Sequence, residues 1–242
     1  MIYSIKNTLA VLLLLVTIIS CNKDEDPAPA PPLVYEGAAL STRNYITSDL
    51  TLDFFIDTAR VASGLSYGFG NKSDFEWVVD APGVQFSILD ATDNTSVLFT
   101  TGIAVEKDAL YYAAVVGPEN AGSVVFAVNE KTLPAAGNVR MRVLHAYQDV
   151  GAIDLYIGGT TPEHKVITDL AFGGLTSYIE VSHTDVSTMI ICTETGVLPD
   201  PATNLLTTLE NTLHEADKIY LNALASDTKE ATSTFSLLVT EQ

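Results

Sequence analysis

The side chains of this sequence that could carry chemistry converge on one short stretch of its second half. His145, Asp149 and Asp154 lie within ten consecutive residues. An imidazole beside two carboxylates could act as a general base or could bind a ligand. The alternative is structural, because histidine and aspartate at strand ends commonly bind backbone groups of adjacent loops. We favour the structural role and treat all three as candidate binding residues rather than catalytic ones.

The other ionisable side chains do not have the spacing of a metal site. No paired-histidine spacing of the H-E-x-x-H kind occurs among His164, His183 and His214. The acidic turn at 90–94 lacks the Asp-x-Asp-x-Asp-Gly spacing of a calcium loop. Cys192 ends a strongly apolar run and is predicted to be a buried, inert thiol. The sequence therefore predicts no metal site and no cofactor, and we assign no catalytic residue.

Two aromatic side chains are candidates for binding a partner or a sugar. Trp77 is the only tryptophan, and Tyr147 follows the candidate histidine by two positions. Rings of this size can stack on sugar rings or anchor a protein interface. A single tryptophan in a small β protein more often fills the core, and alternation along 75–79 places Phe75, Trp77 and Val79 on one inward face. We predict a core position for Trp77, with binding as the alternative.

Composition and charge exclude several classes of function. Of the 242 residues, 47% are apolar and 17% are charged, which is typical of a chain with a folded core rather than of a disordered one. Thirty acidic residues against 12 basic ones give a formal net charge of −18. Such a chain repels phosphate backbones and anionic lipid headgroups, so nucleic-acid binding is not expected.

The N-terminus has the features of an export signal. The apolar run 9–19 is shorter than the roughly 20 residues that a bilayer span requires, and polar residues follow it at once. Ile18-Ile19-Ser20-Cys21 resembles the lipobox of bacterial lipoproteins, where a signal peptidase cuts before a lipid-modified cysteine. The resemblance implies a signal peptide at 1–20 and acyl chains on Cys21 that hold the protein to a lipid bilayer. An ordinary signal peptide with an accidental cysteine is the alternative.

Residues 21–34 are predicted to be a tether. The acidic segment 22–26 resembles the surface-export signal of lipoproteins from Bacteroidota-type Gram-negative bacteria, and a solvated linker is the alternative interpretation. The proline-rich segment 27–32 favours extended polyproline II. We expect an outer-membrane lipoprotein that faces the cell exterior, with the periplasmic face as the alternative.

Two copies of one module follow the tether. The offset between matching segments grows from 101 to 105 and then to 109 residues, as expected of homologous modules whose loops differ in length. We place the modules at 35–131 and 138–242. The matching segments are 52–56 with 153–157, 64–68 with 169–173, and 108–112 with 217–221.

Both modules have the periodicity of β-strands. Apolar and polar residues alternate along 51–57, 84–88 and 235–240, and turn-forming clusters separate such segments. The segment 205–219 also fits a helical period, but its counterpart in the first module is β-branched and aromatic, so we predict strands there. The predicted fold is all-β, with two tandem immunoglobulin-like antiparallel β-sandwiches.

The second module opens with a motif. Residues 139–156 read V-R-M-R-V-L-H-A-Y-Q-D-V-G-A-I-D-L-Y. This stretch is similar to V-R-V-x-H-A-S-P-D-A-P-A-V-D-V-Y, the opening of a secreted bacterial family called domain of unknown function 4397. Tyr147, Gln148 and Gly151 replace the serine and both prolines of the motif. The positions that agree are His145, Ala146, Asp149, Ala152, Asp154 and Tyr156.

The resemblance covers most of 138–240 and, more weakly, 38–130. It implies an exported protein with immunoglobulin-like sandwiches, often in tandem, and it implies no known activity. In the first copy Asn44 stands at the position of His145, whereas Asp53 keeps the position of Asp154. A site built on the histidine could therefore exist only in the second copy.

These observations favour a non-enzymatic surface lipoprotein that acts as an interaction or adhesion module. Its expected partners are the lipid bilayer, through acylated Cys21, and an unknown protein or glycan. One alternative is a carbohydrate-binding accessory of a polysaccharide-uptake system with an exposed aromatic platform. A further alternative is a hydrolase that uses His145 with Asp149 or Asp154.

Overall fold

The computed structural model describes most of the chain from residue 38 onward. The described residues are 38–68, 76–77, 83–93, 95–104, 106, 108–200, 202, 205–210, 213–226 and 235–241. The predictions for the signal peptide 1–20 and the tether 21–34, including Cys21, lie outside these residues. Within the described residues, no helix is long and apolar enough to cross a membrane.

Sixteen strands make up the described chain. The first eight are β1 Ala38–Ile46, β2 Leu52–Ile56, β3 Ala59–Leu65, β4 Glu76–Trp77, β5 Val84–Asp90, β6 Val97–Ile103, β7 Leu110–Gly117 and β8 Ser123–Asn129. The others are β9 Asn138–His145, β10 Ile153–Ile157, β11 Lys165–Leu170, β12 Ile179–Ser182, β13 Met189–Glu194, β14 Thr207–Glu210, β15 Ile219–Ser226 and β16 Phe235–Glu241. The helical elements described are a 3-10 turn, Pro162–His164, and a short helix α1, His183–Thr188.

The strands form four sheets of four strands each, and the second half of the chain repeats the pairing order of the first. We call the sheet of each half that contacts the other half its inner sheet, and the remaining sheet its outer sheet. In the first half, β1–β8, the inner sheet has the order β4-β1-β7-β8 and the outer sheet β3-β2-β5-β6. In the second half, β9–β16, the inner sheet has the order β12-β9-β15-β16 and the outer sheet β11-β10-β13-β14. The predicted all-β sandwich fold is confirmed.

One pairing in each half differs from the predicted antiparallel arrangement. β1 pairs with β7, and β9 with β15, in parallel, whereas the other described strand pairs are antiparallel. A parallel pair needs a long crossover between its strands. Here the crossover from β1 to β7 contains the whole outer sheet. The chain therefore enters β7 at the same end of the inner sheet at which it entered β1.

Local sequence patterns account for these strands. Leu52, Phe54 and Ile56 point into the first core and are at most 2% exposed, as the alternation predicts. The segment whose period also fitted a helix contains strand β14, so the strand prediction is correct for Thr207–Glu210. Helix α1 was not predicted, and it begins where the Ser182 hydroxyl accepts a hydrogen bond from the amide of Thr184.

Each half has its own hydrophobic core, and a third cluster joins the halves. The first core lies between the outer and inner sheets of the first half, and the second core lies between those of the second half. Residues 36–242 form one compact unit. The third cluster, called the shared core, lies between the two inner sheets and consists of Tyr45, Tyr112, Ala114, Val116, Leu144, Ala146, Leu221, Ala223 and Ala225.

Arg142 is a buried polar residue of this contact. Its guanidinium carbon lies 5.5 Å from the ring centroid of Tyr112 in the first half and 4.9 Å from that of Tyr178 in the second. It donates hydrogen bonds to the carbonyl of Val128, at 3.1 Å, and to the side-chain oxygen of Asn129. Because Arg142 is only 3% exposed, little water competes with these contacts.

Replacing Arg142 is expected to weaken the contact between the halves. Arg142→Ala removes the cation between two rings and its hydrogen bonds to Val128 and Asn129, so we expect the free energy of unfolding to fall by about 3 kcal/mol. Denaturant titration of the purified protein measures this change. The control is Lys218→Ala, which breaks the exposed pair with Glu241 and should have little effect. Equal losses in the two variants would contradict the assignment.

Candidate functional site

Asp154 is a buried anchor whose bonds are all internal. It lies on β10 and is 0% exposed. Its carboxylate accepts hydrogen bonds from Lys165 Nζ at 2.5 Å, from the amide of Asp169 at 2.9 Å and from the amide of Gly196 at 3.1 Å. Burial alone would raise the pKa of Asp154, but these hydrogen bonds outweigh it and hold the pKa below its usual value. The carboxylate thus ties β11 and the β13–β14 connection to β10.

The first half contains the same anchor. Asp53, on β2, is 1% exposed and accepts from Arg60 Nη1 at 3.0 Å and from the amide of Gly64 at 2.7 Å. In each half the amide that binds the carboxylate belongs to a residue with positive φ, 63° at Gly64 and 56° at Asp169. Register shifts interrupt the β2–β3 and β10–β11 ladders beside these carboxylates. The anchors therefore hold irregular strand pairings that the ladders alone leave incomplete.

His145 has a structural contact that is also repeated. Its ring Nε2 lies 2.8 Å from the carbonyl of Gly151, and the residue is 0% exposed. At the equivalent position Asn44 donates to the carbonyl of Leu50, at 3.2 Å, and to that of Leu65, at 2.9 Å. Leu50 and Gly151 are themselves equivalent at the offset of 101 residues. An amide in one half thus does what an imidazole does in the other, holding the loop that follows the first strand.

Burial lowers the pKa of His145, against the opposing effect of its backbone hydrogen bonds, so the ring is neutral at pH 7. The proposed partner Asp149 is exposed. In the described part of the chain no hydrogen bond joins Asp149 to His145 or Asp154. The three candidate residues are close in sequence but do not form one hydrogen-bonded site.

The aromatic candidates do not form an exposed platform in the described residues. Tyr147 is 7% exposed and packs in the second core, so its ring has no open face for a sugar. The backbone of Trp77 pairs with Ala38 in the inner sheet, and its side chain lies outside the described structure. The described large apolar side chains that are exposed are aliphatic, namely Val97, Leu98, Val128, Leu133, Leu198 and Leu213.

The stretch 64–68 reads G-x-S-x-G, a spacing that nucleophile elbows share. The second half shows what the glycines do. Gly64 and Asp169 are equivalent and both have positive φ, as do Gly68 and Gly173, whereas Ala171 stands at the position of Ser66. The repeat keeps the backbone turn without the hydroxyl, so the turn itself explains the glycines of this spacing.

The remaining reactive groups are held in local structure. Cys192 is a free, buried thiol, and burial raises its pKa to about 12. Asp93 accepts bonds within its own turn, from the Ser96 hydroxyl at 2.5 Å and from the Ser96 and Thr95 amides at 2.9 Å each, which lower its pKa to about 2. Among the described residues, no group of three or more histidine, cysteine, aspartate or glutamate side chains could hold a metal ion.

A contact between the buried His214 and the half-buried His183 in the second half was not anticipated. His214 is 3% exposed, and its Nε2 lies 3.0 Å from the side-chain oxygen of Asn222. The Nε2 of His183 lies 3.1 Å from the carbonyl of His214 and 3.0 Å from the hydroxyl of Ser187. Burial, and to a lesser degree the charge of His183, lowers the pKa of His214 to about 4. Thirty-one residues separate the two histidines, so no local spacing signals the pair.

A shallow depression in the first half offers little chemistry. It lies beside the β5–β6 pair and is lined by Gly83, Val84, Gln85, Gly102, Ile103 and Ala104. This lining has no aromatic ring and no ionisable side chain, so it fits neither sugar stacking nor acid–base catalysis.

One family profile matches part of the chain. The profile described as "Domain of unknown function (DUF4397)" matches residues 39–156. The match extends from β1 through the first half to Tyr156 in β10. The resemblance seen in the sequence was expected to be clearer in the second module, and that emphasis was wrong, since most of the match lies in the first half. No curated protein matches the chain.

Three solved structures are similar to the chain at low scores. A streptococcal virulence factor described for α-glucan binding has a TM-score of 0.24 and 10% identity, and the alignment covers 81% of this chain and 96% of that one. For family 41 carbohydrate-binding modules from streptococcal virulence factors the TM-score is 0.25 and the identity 8%, and the alignment covers 81% of this chain and 99% of that one. For a multi-modular glycogen-degrading pneumococcal virulence factor the TM-score is 0.25 and the identity 10%, and the alignment covers 83% of this chain and 22% of that one. At these scores the likeness supports no inference about the ligand.

Exchanging His145 for asparagine should be better tolerated than removing its side chain. Asn44 makes the equivalent loop contact in the first half, so His145→Asn can retain a donor to Gly151. His145→Ala removes the hydrogen bond to Gly151 and the buried ring that makes it, and we expect a loss of about 1–3 kcal/mol in the free energy of unfolding. Denaturant titration measures both variants. An asparagine variant as unstable as the alanine variant would contradict the structural role.

The buried His214 should make the fold sensitive to acid. Its pKa is about 4 in the folded chain, below the value of about 6.5 expected when unfolded, so its stabilising effect is complete above pH 6.5 and is lost as the pH falls toward 4. We compare wild type with His214→Gln by denaturant titration. The stability advantage of wild type should shrink by about 2 kcal/mol between about pH 7.5 and pH 4.5.

The control for this comparison is His164→Gln, which alters a half-buried ring near the surface. Its difference from wild type should change less over the same pH interval. A difference between wild type and His214→Gln that does not depend on pH would refute the burial argument.

Proposed function

We propose that the protein is a non-enzymatic lipoprotein whose folded part acts as an interaction or adhesion module. The lipobox at 18–21 and the apolar run before it support acylation of Cys21 after removal of 1–20. Several acyl chains on one cysteine would hold the protein to the outer membrane. The tether 21–34 would carry the folded part away from the lipid, toward the cell exterior.

The observation that carries the non-enzymatic part is the repeated bonding of the candidate residues. Asp154 and Asp53 bind the same backbone position of the next strand in their respective halves. His145 and Asn44 bind equivalent carbonyls. A residue whose contact is reproduced by a different side chain in a second copy is explained by the fold, and no reaction is needed to account for it.

We also propose that the second half is a second module of the same family. The common strand order of the two halves supports this, as does a repeated tyrosine contact. The hydroxyl of Tyr111 accepts from the amide of Glu106 at 2.8 Å, and that of Tyr220 accepts from the amide of Glu215 at 2.8 Å. Tyr111 and Tyr220 are separated by the predicted offset of 109 residues.

The charge distribution restricts the partner. Every lysine and arginine whose side chain is described bonds within the chain, including the ion pairs Arg60–Asp53, Arg140–Glu130, Lys165–Asp154 and Lys218–Glu241. Few cations are therefore left to offset the acidic residues at the surface. The partner should be a basic or neutral protein surface, or a neutral glycan, rather than nucleic acid or an anionic polysaccharide.

Lipidation can be tested directly at Cys21. In the expressing cells, a radiolabelled fatty acid should enter the wild-type protein and Cys192→Ala, and should not enter Cys21→Ser. The wild-type protein and Cys192→Ala should sediment with the outer membrane, whereas Cys21→Ser should not. Cys192→Ala is a matched control because Cys192 is a buried thiol with no access to an acyl donor. Label retained by Cys21→Ser would refute lipid attachment at Cys21.

The exposure of the folded part is a separate measurement. Protease added to intact cells should digest the wild-type protein, and complete protection would refute the surface location.

Binding of neutral glycans on an array, set against binding of basic proteins, separates the two partner classes. Hydrolytic turnover that is present in the wild-type protein and lost in the folded His145→Asn, whose amide cannot act as a general base, would contradict the non-enzymatic proposal.

A further inference from the structure

The two inner sheets use equivalent residues to contact each other. In the first half Arg43 lies opposite Ala114 in the parallel β1–β7 pair, and in the second half Leu144 lies opposite Ala223 in the β9–β15 pair. This register gives the correspondence over the whole shared core. The equivalent pairs are Tyr45 with Ala146, Tyr112 with Leu221, Ala114 with Ala223, and Val116 with Ala225.

The contacts between the halves are also reciprocal. The Tyr67 hydroxyl of the first half donates to the carbonyl of Ser226 in the second, at 2.9 Å. In the opposite direction, the ring of Phe172 lies against Gly117, 3.6 Å from where a Cβ would stand. Tyr67 is equivalent to Phe172 at the offset of 105 residues, and Gly117 to Ser226 at 109. The same pair of equivalent positions thus meets twice, once in each direction, which is the arrangement of a two-fold dimer, here within one chain.

The two faces differ in size at matching positions. The first half places Tyr45, Tyr112 and Val116 where the second half has Ala146, Leu221 and Ala225. Two copies of the first face would bring more side-chain volume to the contact than the mixed pair does, and two copies of the second would bring less, so neither would fill it equally well.

Arg142 adds a polar element to this asymmetry. Its equivalent on the first half is Ser41, as Ser41 lies opposite Tyr112 and Arg142 lies opposite Leu221. The cation between Tyr112 and Tyr178 therefore requires one face of each kind. A pair of second faces would bury two guanidinium groups without Tyr112, at a large desolvation cost.

We infer that the two inner-sheet faces are a matched pair of docking surfaces, each fitted to the opposite half and not to a copy of itself. The connection between β8 and β9 only raises their local concentration. It follows that the halves stay bound when this connection is cut. It also follows that the inner faces are closed to outside partners, which must bind elsewhere on the protein.

The test uses the full chain with a protease site inserted between Thr132 and Leu133, two exposed residues of the connection. The intact protein is purified in mild detergent, cut, and examined by gel filtration and native mass spectrometry. We expect the two fragments to migrate together as a one-to-one complex. Separated or unfolded fragments would overturn the docking proposal, and homodimers of either fragment would overturn the matched fit.

Variants at the edge of the contact make the test specific. Tyr67→Ala and Phe172→Ala each remove one of the reciprocal contacts at a half-buried position. In the cut protein each should raise the dissociation constant of the fragments at least tenfold. The matched control is Phe55→Ala, a half-buried ring that alternates with the first-core residues Phe54 and Ile56 on β2. Equal weakening by Phe55→Ala would show that the contact residues have no special role.

Discussion

The structure depends on covering both faces of each inner sheet. One face of each inner sheet packs against the outer sheet of its own half, and the other meets the opposite half in the shared core. A sheet with two apolar faces is stable only where both are buried. Arg142 lies within this contact and satisfies acceptors that belong to the first half, at Val128 and Asn129. The halves are consequently one structural unit, in which polar contacts fix the orientation of two apolar faces.

Much of this architecture follows from local sequence. Period-two alternation located strands such as β2 and β5, and the growing offset between repeated segments anticipated the common strand order. The parallel β1–β7 pairing could not be predicted, because alternation states which side of a strand is buried and not which strand lies beside it. The shared core could not be predicted either. The sequence pattern of an apolar face is the same whether the face packs against a sheet of its own module or against a sheet of the other module.

The candidate site shows a different limit of sequence reasoning. His145 and Asp154 were singled out because their side chains can do chemistry, and the structure binds both to backbone groups. Asp53 is one of the polar residues that alternate with apolar ones along 51–57, yet it is 1% exposed beneath Arg60. A carboxylate is buried at such a position only when donors compensate it, and two of its donors lie 7 and 11 residues away. Burial of this kind depends on a strand pairing that no single strand encodes.

The outer sheets leave the two halves with unequal surfaces. In the second half Tyr156 and Thr193 are 0% exposed, and both hydroxyls donate to the carbonyl of Val197, in the connection between β13 and β14. Lys165 lies over the ring of Tyr156, at 5.3 Å, and closes the other side. At the equivalent of Tyr156 the first half has Phe55, which remains half-buried. Because the inner faces are closed and the outer face of the second half is covered, the outer sheet of the first half is the more open of the sheet surfaces that the structure describes.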